Sequence, residues 1–230
     1  MTNNISTKPL KHIAIIPDGN RRWAKNQGLS PQEGHRKAFI EVAPSLLKTL
    51  WDKEIYAATL WLFSTENWKR SDSEVDNLMD VFSQFLSNLL PLSGKYSVQL
   101  RHLGRKDRLP ENLLSMVEEV EHSTKGMTGH IFNFALDYGS EDEIIRAVRR
   151  LVEKGVKPEE IEPHQLMDQF CPPPDLIIRT SGECRLSGFM PLQSCYSELY
   201  FTNTFFPDLI PADIEEAIHW FQNRERRFGK

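Results

Sequence analysis

The sequence predicts an α/β protein folded around a mostly parallel sheet. Short β-branched apolar runs alternate with amphipathic helical stretches along all 230 residues, the pattern of parallel strands joined by crossover helices. The runs at 12–16 and 175–178 are apolar enough to be strands covered on both faces. Clusters rich in Arg, Gly and Ser follow directly on three of the predicted strands, and ligands gather at the carboxyl ends of strands in such sheets.

His12–Ile16 reads as the buried first strand. Ser30, Pro31 and Glu33 combine an N-cap serine, a proline at the first helical position and a capping-box glutamate, so a helix starts there and runs to about Trp51. Residues 56–63 form the next strand. From Asp72, the residues Val75, Leu78, Met79, Phe82, Leu86 and Leu89 recur at helical spacing. Residues 97–103 and 130–136 read as further strands. Ile144, Val148, Leu151 and Val152 mark one face of a helix that Gly155 terminates. Pro172, Pro173 and Pro174 introduce a buried strand over 175–179, and Glu198–Phe201 is the last strand. Ile214, Ala217, Ile218 and Phe221 repeat the helical stripe before a basic end at 224–227. With no repeat, low-complexity tract or linker, the chain reads as a single domain over 1–230, its polar first ten residues a flexible N-terminus.

Composition narrows the classes. Apolar residues make up 40% and charged residues 26%, which excludes bulk disorder. No apolar run approaches the roughly 18 residues of a membrane span, so stable membrane insertion is not expected. The first ten residues lack the apolar core of a signal peptide. A net charge of −4 gives no reason to expect nucleic acid as a partner. Cys171, Cys184 and Cys195 are too few and too irregular for a disulfide framework or a zinc site. A reducing cytoplasm is the expected location.

Three clusters carry the chemistry. The first, at 17–23, holds Asp18, Gly19, Asn20, Arg21, Arg22 and Trp23. The second, at 63–70, holds Phe63, Ser64, Glu66, Asn67, Trp68 and Arg70. The third, at 179–187, holds Arg179, Thr180, Ser181, Gly182, Arg185 and Ser187. Guanidinium forks suit phosphate oxygens, and a lone carboxylate beside them can hold Mg2+ that bridges phosphates. The combination predicts a diphosphate or nucleotide ligand. Walker A, G-x-G-x-x-G, G-x-S-x-G and H-E-x-x-H motifs are all absent. Singly, each residue has a plainer reading. Asp18-Gly19 makes a turn, Arg21 and Arg22 a solvated face, Trp23 and Trp68 packing, and His35 a cap. Arg179 at the end of an apolar strand resists such a reading, because a charge there needs a partner.

With D-G-N-R-R-W at 18–23, F-S-x-E-N-W at 63–68 and R-T-S-G-E-x-R-L-S at 179–187 in this order, the chain resembles the cis-prenyltransferases, the undecaprenyl diphosphate synthase family. The resemblance runs from His12 to Gly229 and includes Tyr196-Ser-Glu-Leu-Tyr-Phe. It implies a six-stranded, mostly parallel sheet surrounded by helices, an apolar tunnel, a homodimer, and Mg2+-dependent condensation of an allylic diphosphate, such as dimethylallyl diphosphate, with isopentenyl diphosphate to give a Z double bond. Asp18 matches the family's essential aspartate, acting with metal and diphosphate, and Asn67 a second catalytic residue. Gly19, Asn20, Arg21, Arg22 and Trp23, with His35 nearby, match the allylic diphosphate site. Phe63, Ser64, Trp68, Arg70 and Glu74 match the loop and helix near the reacting carbons. Arg179, Arg185 and Ser187 match the isopentenyl diphosphate site. Glu198 matches a second Mg2+ ligand, and Arg227 and Gly229 an R-x-G element contributed across the dimer.

The departures from the family are specific. Pro17 stands where an apolar residue such as methionine is usual, and Pro31 where an arginine is common. Residues 137–141 replace N-Y-G-G-R, and Gly188, Pro191 and Leu192 replace an expected Asn, Leu and Trp. The segment 189–192 resembles divergent, lavandulyl-type members. Leu62 occupies a place where the family commonly has a small residue, and it predicts a short product, with Phe132 and Phe134 adding bulk or simply filling the core. The alternatives are irregular head-to-middle coupling of two dimethylallyl diphosphates, with or without cyclisation, and a non-catalytic binding subunit. Retention of Asp18, Asn67, Arg179, Arg185 and Glu198 argues against the last.

Overall fold

The computed structural model describes residues 9–167 and 172–226; residues 1–8, most of the expected flexible N-terminus, lie outside the described residues, as does Cys171. Six strands form one sheet: β1 (His12–Ile16), β2 (Ala57–Ser64), β3 (Val98–Leu103), β4 (His130–Tyr138), β5 (Leu176–Arg179) and β6 (Glu198–Phe201), in the order β3-β4-β2-β1-β5-β6. Every neighbouring pair runs parallel. The mostly parallel single-domain reading holds, and the sheet is parallel throughout.

Alternation along β1 divides the core. Ile13 and Ile15 face the larger cluster with Phe39, Leu46, Leu60, Phe82 and Phe132. Ala14 and Ile16 face a smaller one with Ala135, Tyr138, Ile177 and Phe189. The helix predicted from Ser30 forms as α2 (Pro31–Arg36), a π-helical turn (Lys37–Val42) and α3 (Ala43–Asp52). Its capping box is present, with the Glu33 N–H donating to Ser30 Oγ and Glu33 Oε2 accepting from Ser30 N. The stripe from Asp72 is α4 (Asp72–Tyr96), with Val75, Leu78, Met79, Phe82, Leu86 and Leu89 all buried.

Two helices went unread in the sequence. α1 (Asn20–Asn26) is seven residues long and hidden inside a polar motif. α5 (Glu111–Thr124) buries Leu113, Val117 and Val120 at helical spacing, a signal its charged faces obscured. α6 (Ser140–Glu153) corrects an expectation. Of its apolar stripe only Leu151 is buried, while Ile144, Val148 and Val152 are exposed together with Ile145. The inward face instead carries Ala147 and the buried Glu143, which accepts hydrogen bonds from Tyr138 Oη at 2.6 Å and Gln193 Nε2 at 3.0 Å. α7 (Pro211–Gln222) closes the order. No helix among the described residues is long and apolar enough to cross a membrane.

A buried polar chain ties the sheet to the segment before β5. His12 Nδ1 lies 2.6 Å from the Pro172 carbonyl and its Nε2 lies 2.8 Å from Thr59 Oγ1. A carbonyl can only accept, so Nδ1 carries the proton and Nε2 accepts from Thr59. Thr59 in turn accepts from Asn133 Nδ2 at 2.9 Å. Burial drives the His12 pKa down to about 4, against smaller opposing effects of the Pro172 carbonyl and Asp175. Folding therefore favours the neutral ring. Its contribution is complete above the ordinary value of 6.5 and is lost as pH falls toward about 4. The full effect is about 3 kcal/mol. Urea unfolding should show a larger loss of stability between pH 7 and pH 4.5 for the native chain than for His12→Gln, which cannot titrate. Equal losses would remove His12 as the cause.

Candidate active site

Three loops leave the carboxyl ends of β1, β2 and β5 and meet over the sheet. The first turns sharply at Gly19, whose φ of 101° is in the left-handed region. A Cβ there would lie 2.5 Å from the Phe205 ring and 2.9 Å from Ser181 Cβ, so only glycine lets the first and third loops touch. Thr180 clasps the same turn from both sides: its Oγ1 accepts from Asp18 N at 2.8 Å and donates to the Asp18 carbonyl at 2.6 Å.

Arg179 ends β5 with its side chain nearly buried. Its Nη2 donates to Asp18 Oδ2 at 2.9 Å, and its Nη1 donates to Ser187 Oγ at 2.9 Å and to the Arg185 carbonyl. Asp18 Oδ1 accepts from Gly19 N at 2.7 Å and Arg22 Nη2 at 3.3 Å. Burial acts to raise the Asp18 pKa, but Arg179, the Gly19 amide and Arg22 together outweigh it and hold the carboxyl below its ordinary value. Arg22 also donates to Ser181 Oγ at 2.5 Å, and its guanidinium lies over Phe205.

The second loop is a short 3-10 helix (Thr65–Lys69) capped by Ser64. Asn67 Oδ1 accepts from Ser64 N at 3.1 Å, which fixes the amide at the end of β2. Arg70 Nη1 donates to Glu74 Oε1 at 2.9 Å, with Arg21 3.8 Å from the same oxygen. His35 stands beside them, stacked on Phe39. Burial first, then Arg70 and Arg21, lower its pKa to about 4, so the ring is neutral at physiological pH.

These groups border two adjoining cavities. A wide one of about 780 Å³ is lined by Asp18, Gly19, Asn20, Arg21, Arg22, Lys25, Pro31, His35 and Arg70. A second of about 320 Å³ shares Asp18, Asn20, His35 and Arg70 and adds Ser64, Asn67, Arg179 and Ser187 at its polar end. Its apolar walls are Phe39, Trp61, Leu62, Phe63 and Leu78. Behind them Phe82 stacks edge-on against Phe39 and Phe63, at 5.2 and 6.3 Å. Phe132 and Phe134 are fully buried and pack with Phe85 and His102, in the core rather than on the cavity wall.

Other expected site residues fall elsewhere. Trp23 donates to Asp208 at 2.6 Å and Trp68 to Asp137 at 2.9 Å, so both indoles are held by the fold. Arg185 is exposed, paired with Glu183 at 2.5 Å, and enters the cluster through its carbonyl. Glu198 is not brought to Asp18. It begins β6 opposite Leu176, at the far end of β5 from Arg179, and pairs with Arg224 at 3.2 Å. No group of three or more potential metal ligands occurs among the described residues. Arg227 and Gly229 lie outside the described residues. Thr180 and Ser181 stood in the third cluster without an assigned role, and Phe39 and Phe205 were not singled out from sequence. The first two sit inside a quoted motif, but the aromatics carried only an apolar signal.

The parallel sheet carries an arginine-lined double cavity at its carboxyl rim, polar where the two cavities meet and apolar beyond. Residues 16–229 match the family described as putative undecaprenyl diphosphate synthase. The chain belongs to that family, the cis-prenyltransferases, and is a prenyltransferase. An isoprenyl transferase of Bacillus cereus is 43% identical over 227 residues, covering 95% of this chain and 88% of that protein. A crystal structure of lavandulyl diphosphate synthase from Lavandula x intermedia, in complex with dimethylallyl diphosphate, superposes with a TM-score of 0.91 at 35% identity, covering 96% of this chain and 98% of that one. A probable undecaprenyl diphosphate synthase from Campylobacter jejuni gives 0.81 at 32% identity, covering 97% and 100%.

Proposed function

We propose that the chain condenses a short allylic diphosphate with isopentenyl diphosphate to a short (Z)-prenyl diphosphate. The observation that carries this reading is the joined pair of cavities, polar where they meet and apolar beyond. The wide cavity, with Arg21, Arg22, His35 and Arg70, takes the allylic diphosphate. Arg179 and Ser187 take the diphosphate of the isopentenyl partner. The allylic C1–O bond breaks with its electron pair leaving on diphosphate, the isopentenyl double bond attacks C1, and loss of a proton from the adduct sets the new double bond. Arg21, Arg22 and Arg70 supply fixed positive charge where the leaving group develops negative charge. Phe39, Leu62, Phe63 and Leu78 keep water away from the cation-like carbon.

Asp18 fits a Mg2+ site, since Mg2+ commonly takes one or two carboxylates plus substrate phosphates. When bound there, the ion would neutralise diphosphate charge. Asp18 alone of the expected ligands faces the cavity.

A volume of 320 Å³ stands at the low end of small-molecule cavities, roughly 300–1,000 Å³, and supports a product of few isoprene units. Irregular coupling of two dimethylallyl units is the second reading, favoured by the likeness to the lavandulyl diphosphate synthase structure. The exposed row Ile144, Ile145, Val148 and Val152 on α6 supports a homodimer, because a contiguous apolar face is commonly an association surface.

With Mg2+, purified protein should convert dimethylallyl and isopentenyl diphosphates to a prenyl diphosphate identified by mass spectrometry, and EDTA should stop it. Asp18→Asn, which still offers Arg179 an acceptor, should lower turnover by roughly 10²-fold or more, whereas Asp18→Ala, which leaves the nearly buried Arg179 guanidinium without its carboxylate, should lower the melting temperature as well. Product from dimethylallyl diphosphate alone would favour the irregular reaction, and no product from any combination would defeat both readings. Leu62→Ala should lengthen the product, whereas long polyprenyl chains from the native protein would contradict the volume argument. In light scattering the native chain should be a dimer and Val148→Asp a monomer; a native monomer would remove the α6 interface.

A further inference from the structure

Asp137 is fully buried, lies outside both cavities, and is held in a way an ordinary strand residue is not. In the β2–β4 ladder Phe63 pairs with Leu136 and Ser64 with Tyr138, which leaves Asp137 as an extra residue bulged out of β4. Its φ of 54° is left-handed, a conformation that aspartate and asparagine tolerate better than most side chains. The bulge turns its carboxylate toward two partners. Arg108 grips it with both arms, Nε to Oδ2 at 2.8 Å and Nη2 to Oδ1. Trp68 Nε1 donates to Oδ1 at 2.9 Å, and the Arg108 guanidinium lies 5.5 Å over the Trp68 ring.

The three groups form a clamp on the short helix that carries Asn67. Trp68 is the residue next to Asn67, and its ring also packs edge-on against Phe63 of the cavity wall, at 5.2 Å. The other end of the helix is seated two residues along β4's exit. A Cβ at Gly139 would lie 2.4 Å from Thr65 Oγ1, so glycine lets Thr65 settle directly on the backbone. A buried carboxylate paired in two-pronged geometry is costly to displace, because each lost arm leaves a desolvated charge.

We propose that Asp137 and Arg108 are positioning residues for the reaction, acting through Trp68 to hold Asn67 at the cavity wall. The assignment rests on reading Asn67 as a residue near the reacting carbons. A role in stability alone would lower the melting temperature and leave the folded enzyme's turnover unchanged.

Asp137→Gly tests this, since glycine keeps the left-handed backbone and removes the acceptor of both Arg108 and Trp68, whereas asparagine would restore the residue usual at this position in the family. The expected result is a fall in kcat of about ten- to a hundredfold, the scale of a small misplacement, with KM for each diphosphate changed less than about twofold. In an Asn67→Ala background the same substitution should cost nothing further, because the two act in series. Arg108→Lys, which keeps the charge and loses the fork, should move kcat in the same direction and serves if Asp137→Gly does not fold. Unchanged kcat, or an equal loss in the Asn67→Ala background, would overturn the proposal. If the native enzyme condenses no diphosphates, the reading of the reaction fails while the clamp is judged by fluorescence. The Trp68 signal, taken as the difference from Trp68→Phe, should become more accessible to acrylamide in Asp137→Gly, and no change would overturn it.

Discussion

The site depends on one buried guanidinium. Arg179 closes the apolar strand β5, between β1 and the edge strand β6, where its nearly buried charge would be intolerable unpaired. Its two terminal nitrogens are spent on three groups from two loops: the Asp18 carboxylate, the Ser187 hydroxyl and the Arg185 carbonyl. The need to satisfy that charge draws the first loop onto the third, and Gly19 removes the side chain that would keep them apart. Asp18 stays ionised as a consequence, so the constraint that folds the rim also sets the charge a metal would meet.

A second constraint shapes the wall. β2 and β4 fall out of register twice, with Leu62 unpaired on one strand and Asp137 on the other, and the two offsets cancel by Ser64 and Tyr138. Strict alternation would send Phe63 to the face opposite Leu62, yet both pack with Leu60 in the larger cluster, while Trp61 packs on the other face against Phe189. Bulges re-aim side chains in this way beside functional sites. Here one bulge brings Phe63 to the face that Leu62 already occupies, and the other delivers the Asp137 carboxylate to Trp68.

Much of this was legible in the sequence, and the limits have physical causes. β1 and β5 announced themselves because burial on both faces leaves β-branched runs that little else produces, and the three motifs placed Asp18, Asn67 and Arg179 on neighbouring strand ends. α5 and α6 were harder for opposite reasons. α5 buries a narrow stripe beneath charged flanks, while α6 turns apolar residues outward and buries Glu143, so periodicity located the helix and misjudged its inward face. Glu198 matched a motif, but motif order says nothing about which end of a four-residue strand a side chain occupies. The bulges were invisible, since one unpaired residue leaves no trace in a hydrophobic pattern.

The pattern of satisfied and unsatisfied groups gives the site its chemical sense. Buried polar atoms in a folded protein are nearly always paired, yet both ring nitrogens of His35 and the Nε of Arg179 have no hydrogen-bond partner within the protein. These residues line the cavities, and the Arg179 Nε can only donate. His35 is kept neutral by burial and by the guanidinium charges of Arg70 and Arg21, so it offers one N–H and repels no neighbouring cation. A rim with fixed positive charge from Arg21, Arg22 and Arg70 is matched by a ligand rich in acceptor oxygens, which a diphosphate provides. The same ligand must end in hydrocarbon, because Phe39, Leu62, Phe63 and Leu78 offer nothing polar a few ångströms further in. An inorganic anion would satisfy the rim and leave that apolar wall uncovered, and a plain hydrocarbon would do the reverse. A prenyl diphosphate answers both demands at once, so the proposed reading is supported by the juxtaposition of the two surfaces rather than by any single residue.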